Sequence, residues 1–197
     1  MGRCAAARSR SSRSSQQSCE RAQKRFAGRF SYFSWSSWSD PLFTEALQVV
    51  EEQLAAHSTY AWNPRNTFHL QMAYLLLWTA IERYAALRYR LDDEATKKVN
   101  RVAEEPAFAE KLKAIGPLQR SIQRADKPTE KVKLKSDDPK KSMSYYYQVR
   151  SNMVHRGKGM PGDHETVRSS CSELLQIFRH VLGQAKQEAE QARAMLE

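Results

Sequence analysis

The densest set of reactive groups in the chain lies in Arg150-Ser151-Asn152-Met153-Val154-His155, followed by Arg156-Gly157-Lys158-Gly159. Arginine is a permanent cation whose planar fork matches phosphate oxygens. Histidine gains and loses a proton near neutral pH. The two together can hold a phosphodiester and move a proton without a metal. Other chemistries lack their residues. Histidines 57, 69, 155, 164 and 180 show no metal-binding spacing such as H-E-x-x-H. The acidic pairs at 51–52, 92–93, 104–105 and 137–138 fall on expected surfaces or turns. No P-loop, G-x-G-x-x-G or nucleophile elbow is present. No metal and no cofactor is therefore expected.

The spacing poses a geometric problem. Five positions on a helix separate Arg150 and His155 by about 140° around the axis. Two arrangements solve it. The helix ends near Val154 and the glycine turn swings His155 round, or a second copy of the chain completes the site across a two-fold axis. Glu82 is the natural third member. It continues the line Phe68, Met72, Leu75, Thr79, expected to point inward, and a carboxylate there needs Arg150 or His155 as partner. The plainer alternative puts Glu82 on the rim in a surface pair with a neighbour on its own helix. Likewise, Arg150 could only staple two helices, and His155 could only complement the helix C-terminus. The tyrosines at 145–147 suit base stacking, though such residues more often fill a dimer interface or core.

The elements that must position these residues are helical, because hydrophobic spacing follows a three-four rhythm almost throughout. Ser39 or Asp40 caps a first helix with Pro41 in its first turn and Leu42 or Phe43, Ala46, Leu47, Val50 and Leu54 as its stripe. Asn63-Pro64 opens a second, running to about Leu91. Its lines Phe68, Met72, Leu75 and Leu70, Tyr74, Leu77, Ile81, Tyr84 make it apolar on most sides, as a central bundle helix must be. Residues 94–115 read as shorter pieces broken at Pro106. From Gly116 to Lys141 the chain is polar, lysine-rich and carries three prolines, which predicts a long connection with a helical turn near Leu118–Ile122. Pro139 opens the motif helix, with Met143, Tyr146, Val149 and Met153 facing the core and Gly157 and Gly159 ending it. Asp163 caps the last helix, whose stripe is Val167, Cys171, Leu174, Phe178, Val181 and Leu182. After Gly183 the pattern fades into a solvated end. The expected fold class is all-α: an up-and-down bundle of four main helices with one long excursion.

Charge sharpens this division. The 197-residue chain has a formal charge of +10. Residues 1–39 hold eight basic side chains against one acid, and 113–141 hold nine against four. The body is close to neutral, with one basic tail and one basic patch, a distribution suited to a local phosphate-binding surface. A solvated lysine-rich loop is the plain alternative. The chain divides into 1–39, an Arg/Ser-rich tail read as disordered, and 40–197, the helical domain. The tail's composition also suits an organelle transit peptide or an upstream misassigned start. Its aromatic stretch at 30–38 suits docking on the domain or on a partner. Three cysteines without C-x-x-C spacing favour a reducing compartment, hence the cytoplasm. No apolar run is long enough to span a bilayer.

The motif and its flanks resemble the HEPN superfamily, defined by an arginine, a few variable positions and a histidine late in an all-α domain. The similarity is greatest to the Apea-like and related stand-alone members, whose segment often reads Tyr-x-Val-Arg-x-Asn-x-x-His-x-Gly-Lys. Here that string is Tyr147-Gln148-Val149-Arg150-Ser151-Asn152-Met153-Val154-His155-Arg156-Gly157-Lys158. Leu75-Leu76-Leu77-Trp78-Thr79-Ala80-Ile81-Glu82-Arg83-Tyr84 looks like that family's long second helix, and the resemblance covers about residues 42–183. It implies a homodimeric, metal-independent RNA endonuclease, a toxin or antiviral defence effector, with an antitoxin or regulatory protein as a further partner. The implied catalytic residues are Arg150, His155 and Asn152, with Glu82 and Ser151 in support. Arg156, Lys158, Lys140, Lys141 and Tyr147 are the expected RNA contacts. Catalytic members often carry Asn, Asp or His directly after the arginine. Ser151 stands there instead, which keeps open a non-catalytic module that binds RNA, nucleotide or a partner protein.

Overall fold

The computed structural model describes residues 40–57, 63–89, 95–156 and 161–195. The expected basic tail with its aromatic stretch, together with Gly157, Lys158 and Gly159, lies outside them. Among the described residues the chain is mostly helical: α1 (Glu45–Ala56), α2 (Pro64–Tyr89), α3 (Ala95–Val102), α4 (Pro106–Ala114), α5 (Pro139–Arg156) and α6 (Pro161–Ala194). A single antiparallel hairpin, β1 (Gln119–Gln123) and β2 (Lys131–Lys135), interrupts them.

Local chemistry sets the starts. Asn63 accepts from the Arg65 N–H at 2.8 Å, and Pro64 follows as the first helical residue. Asp138 accepts from the Lys141 N–H at 3.0 Å ahead of α5. Asp40 accepts from the Leu42 N–H at 3.0 Å, but there it holds a turn through Thr44, and regular helix begins only at Glu45.

The centre is α2, whose residues Leu70, Tyr74, Leu77, Ile81 and Tyr84 are buried against α1 and α6. Thr67 and His164, hydrogen-bonded at 3.0 Å and buried, tie the beginnings of α2 and α6. Arg88 reaches Glu188 at 2.7 Å near their ends, so the two helices run parallel. The second expected inward line of α2 faces the other way. Phe68 is 48 % and Met72 68 % exposed, and Thr79 is also exposed. A helix of 26 residues with two apolar lines offers both to the core, and here its neighbours cover one. Met72, Leu75 and Thr79 of that line, with Val49, Gln53 and His69, form a shallow apolar groove between α1 and α2.

Two further expectations are corrected. The Gly116–Lys141 connection contains the hairpin, and Leu118–Ile122 is strand rather than a helical turn. Gly116, at φ +113°, adopts the left-handed conformation that turns the chain from α4 into β1. The last helix continues past Gly183 to Ala194, where the chain is a largely solvated end that buries only Ala185 among the described residues. The motif helix does not end near Val154. It remains helical through Arg156, so His155 is not swung round by an early turn.

Candidate functional site

Helix α5 places its residues on three sides. Met143, Tyr145, Tyr146 and Val149 are buried in the core. Tyr74 donates its phenol proton to the Tyr146 carbonyl at 2.9 Å, fixing α5 against α2. Tyr147 and Arg150, three apart and so on one face, look toward α2. There Trp78 meets the Tyr147 ring edge-on at 5.6 Å between centroids. The Arg150 guanidinium lies over that ring at 5.7 Å and approaches Glu82 at 3.7 Å. That separation is an ion pair but not a hydrogen bond. Arg150 Nε is shielded from solvent and has no hydrogen-bond partner. Arg150 and Glu82 side chains remain 30 % and 34 % exposed. The cluster therefore contains a cation that is oriented and partly desolvated but whose donors are largely unengaged.

His155 is exposed, one turn beyond Ser151, with no hydrogen bond to any described residue. Because α5 is regular here, it stays about 140° from Arg150 around the axis. Ser151 is half-buried.

Asn152 has other partners. Its Oδ1 accepts from the Ala125 N–H at 2.9 Å and from Gln148 Nε2 at 2.8 Å, and its Nδ2 donates to the Gln123 carbonyl at 2.8 Å. It clamps the turn end of the hairpin to the end of α5. Ser142 clamps the other end, donating to the Lys135 carbonyl at 2.5 Å and accepting from its N–H at 3.2 Å. Between the clamps, Leu134 inserts into the core and Ile122 and Val132 pack against it. Arg120 reaches α6, where it pairs with Glu173.

The expected RNA contacts are dispersed. Tyr147 is within the Trp78–Arg150 stack. Lys140 pairs with Glu104 at 2.9 Å and Lys141 with Asp138 at 3.0 Å. Both sit at the start of α5, about 15 Å of helix rise from Arg150. Arg156 belongs to the helix, but its side chain, like Lys158, lies outside what is described. The structure instead brings forward Lys131, Lys133 and Lys135 on β2. The alternation Lys-Val-Lys-Leu-Lys was the available signal for them, a period of two inside a segment otherwise marked by prolines.

Among the described residues there is no group of three or more His, Cys, Asp or Glu placed to hold a metal, and no helix long and apolar enough to cross a membrane. Cys171 is buried, and burial pushes its thiol up to about 12. It belongs to the core rather than to any reactive site. Comparison with family models, curated proteins and solved structures finds no match to this chain.

Proposed function

We propose that the protein is a metal-independent RNA endonuclease of the HEPN type, acting as a dimer in the cytoplasm as a toxin or antiviral effector. The observation that carries this reading is the state of Arg150. Its guanidinium is oriented by Tyr147 and Trp78, yet it is held to Glu82 only by a loose 3.7 Å ion pair. A phosphate oxygen pair would satisfy that fork better than Glu82 does.

In this mechanism Arg150 binds the scissile phosphate and stabilises its developing charge. His155, exposed and without a hydrogen bond to any described residue, removes the proton from the ribose 2′-OH. The 2′-oxygen attacks phosphorus, the bond to the 5′-oxygen breaks, and that oxygen takes a proton. The products are a 2′,3′-cyclic phosphate and a 5′-OH end, so DNA is not a substrate. The dimer is part of the same reading. What supports it is the regular helix through Arg156, which leaves Arg150 and His155 on different azimuths. A second copy would bring the missing group to each.

RNA incubated with the protein in EDTA should give cyclic-phosphate ends, and Arg150→Ala and His155→Ala should each abolish cleavage. A folded variant of either that cuts at the wild-type rate overturns the assignment. One observation favours the second reading, a non-catalytic RNA- or partner-binding module. Asn152 is bonded to the hairpin and Gln148, and Ser151 is the residue after the arginine, so no amide is free beside His155. A dimer that binds RNA with steep salt dependence and never cuts selects that reading.

A further inference from the structure

The hairpin that replaces the expected connection sorts its side chains by face. The register pairs Gln119 with Lys135, Ser121 with Lys133 and Gln123 with Lys131. All six are exposed, while Ile122, Val132 and Leu134 turn toward the helices. The outer face is thus a row of three lysines beside a row of three neutral hydrogen-bonding side chains, with no acid in either row. Among the other cations of the basic segment, only Lys113 lacks an ion pair with a described residue. Arg124 pairs with Asp126 and Glu130, Lys127 with Glu130, Lys140 with Glu104 and Lys141 with Asp138. Lys131, Lys133 and Lys135 make no ion pair with a described residue. Asp138, which feels the Lys135 charge, is already bonded to Lys141.

Protein-internal needs do not explain this arrangement. Like charges on alternate residues of one strand face repel and stabilise nothing in the fold. A ligand that would use them must be a linear polyanion. From Lys131 to Lys135 the row spans about 13 Å, a length over which an extended single strand presents several phosphates. The hairpin is also rigidly registered on the motif helix, by Ser142 at one end and Asn152 at the other. At its Lys131 end the face borders a polar cleft of about 350 Å³, lined by Gln71, Gln123, Asn152 and Asp163. The Gln71 and Gln123 amides there offer both donors and acceptors, as base edges require. A strand laid on the row is thereby led toward the end of α5 that carries Asn152 and His155.

We infer that the outer face of the hairpin is a phosphate-tracking surface that seats single-stranded RNA beside the motif helix. The choice of RNA rests on the nuclease reading above; the polyanion-binding face does not. It replaces Lys140 and Lys141 as the main grip, since those lysines already face carboxylates.

The test uses the full chain and a fluorescent 2′-O-methyl oligouridine of about 20 nucleotides, which cannot be cut because it lacks the 2′-OH. Binding is followed by anisotropy across a salt series for the wild type, the triple variant Lys131→Gln/Lys133→Gln/Lys135→Gln, and Lys140→Gln/Lys141→Gln. The triple variant should bind about tenfold more weakly at moderate salt, and its log–log salt slope should fall by about 2, three contacts at about 0.7 each. The double variant should change much less. A triple variant with wild-type affinity and slope overturns the inference. So does a double variant that loses more, or polyglutamate binding more tightly than the oligonucleotide, which would mark an acidic protein as the partner. Because the probe cannot be cleaved, a protein that shows the slope change but never cuts RNA retains this surface and loses the nuclease assignment. Unchanged binding in a variant of an active nuclease does the reverse.

Discussion

Arg120 and Arg150 occupy closely similar settings and are bonded very differently. Each side chain is about a third exposed, at 31 % and 30 %. Each guanidinium lies over a tyrosine of α5, Arg120 over Tyr145 at 5.9 Å and Arg150 over Tyr147 at 5.7 Å. Each faces a glutamate on a neighbouring helix. The glutamates make the difference. Glu173 is nearly buried, is hydrogen-bonded by Arg120 and accepts a second bond from the Tyr146 phenol at 3.0 Å. Burial, followed by that carboxylate, pushes the Tyr146 phenol well above its ordinary range. Glu82 is a third exposed, stands 3.7 Å from Arg150 and makes no hydrogen bond with a described residue. One arginine is committed to seating the hairpin on α6. The other is presented, with its charge only loosely matched. A stacked arginine is therefore no sign of a site by itself. The partner's burial and hydrogen bonds separate a structural pair from one that a ligand can displace.

The largest effects should fall on activity and only on one side of this comparison. Arg150→Ala and His155→Ala should each lower RNA cleavage by about two to four orders of magnitude, the usual contribution of a general base or a charge-stabilising group. Their unfolding curves should stay close to wild type. Activity that falls only in proportion to lost folded protein would make Arg150 a second structural arginine.

Stability should show the inverse. Glu173→Ala leaves Arg120 and the Tyr146 hydroxyl without their acceptor, so it should cost about 3 kcal/mol. Arg150→Ala, which removes an exposed loose pair and a stacking contact, should cost about 1 kcal/mol or less. Urea denaturation of the two variants measures the contrast directly, and equal costs would erase it. Asn152→Ala comes next. It breaks two hydrogen bonds between α5 and the hairpin and one to Gln148 within α5, for about 2 kcal/mol, and hydrogen exchange should speed up specifically over residues 119–135. Exchange unchanged there would remove Asn152 from its positioning role.

These assignments show where the sequence could be read and where it could not. The buried line of α2, from Leu70 to Tyr84, follows directly from spacing, as does the stripe of α6 through Cys171 and Phe178, because a long helix must bury its most apolar face. The line Phe68, Met72, Leu75 has the same spacing and lies outside, since periodicity states which residues share a face and not which face finds a neighbour. The hairpin was hidden by composition. Lysine is a poor strand former, and what holds the hairpin is Ser142 and Asn152 from α5 and the insertion of Leu134 into the core. Asn152 shows the same limit at the site. Its place in the motif suggested an active role, and only the fold reveals three partners on the hairpin and on α5 itself.

A pH series keeps the two kinds of effect apart. His57 is held below its ordinary range, chiefly by burial and then by the nearby His69 and His164. The folded state thus favours its neutral form more than the unfolded state does. Stability should accordingly be full above about pH 6.5, the unfolded value, and decline as the pH falls below it toward the lowered folded value, because the unfolded chain takes up the proton first. His57→Gln should flatten that decline in thermal unfolding measurements while leaving the pH profile of cleavage unchanged, as that profile belongs to His155. A cleavage profile that moves with His57 would mean that the acid limb of activity reports folding.

The smallest effect is the sharpest test of the loose pair. In the proposed complex Glu82 competes with the phosphate for Arg150 and also repels it. At 3.7 Å with both groups about a third exposed, the interaction is near the high-dielectric end of the Coulomb scale, about 1 kcal/mol. Glu82→Gln keeps the shape and removes the charge. It should leave stability within about 0.5 kcal/mol, as for other exposed pairs, and tighten binding of uncleavable RNA by about fivefold, the equivalent of that 1 kcal/mol. The corresponding change at the other arginine, Glu173→Gln, should destabilise the fold without tightening anything. If Glu82→Gln instead weakens RNA binding, the carboxylate is orienting Arg150 for the phosphate rather than holding its place. The two arginines would then differ in how firmly they are held but not in whether their glutamates are needed.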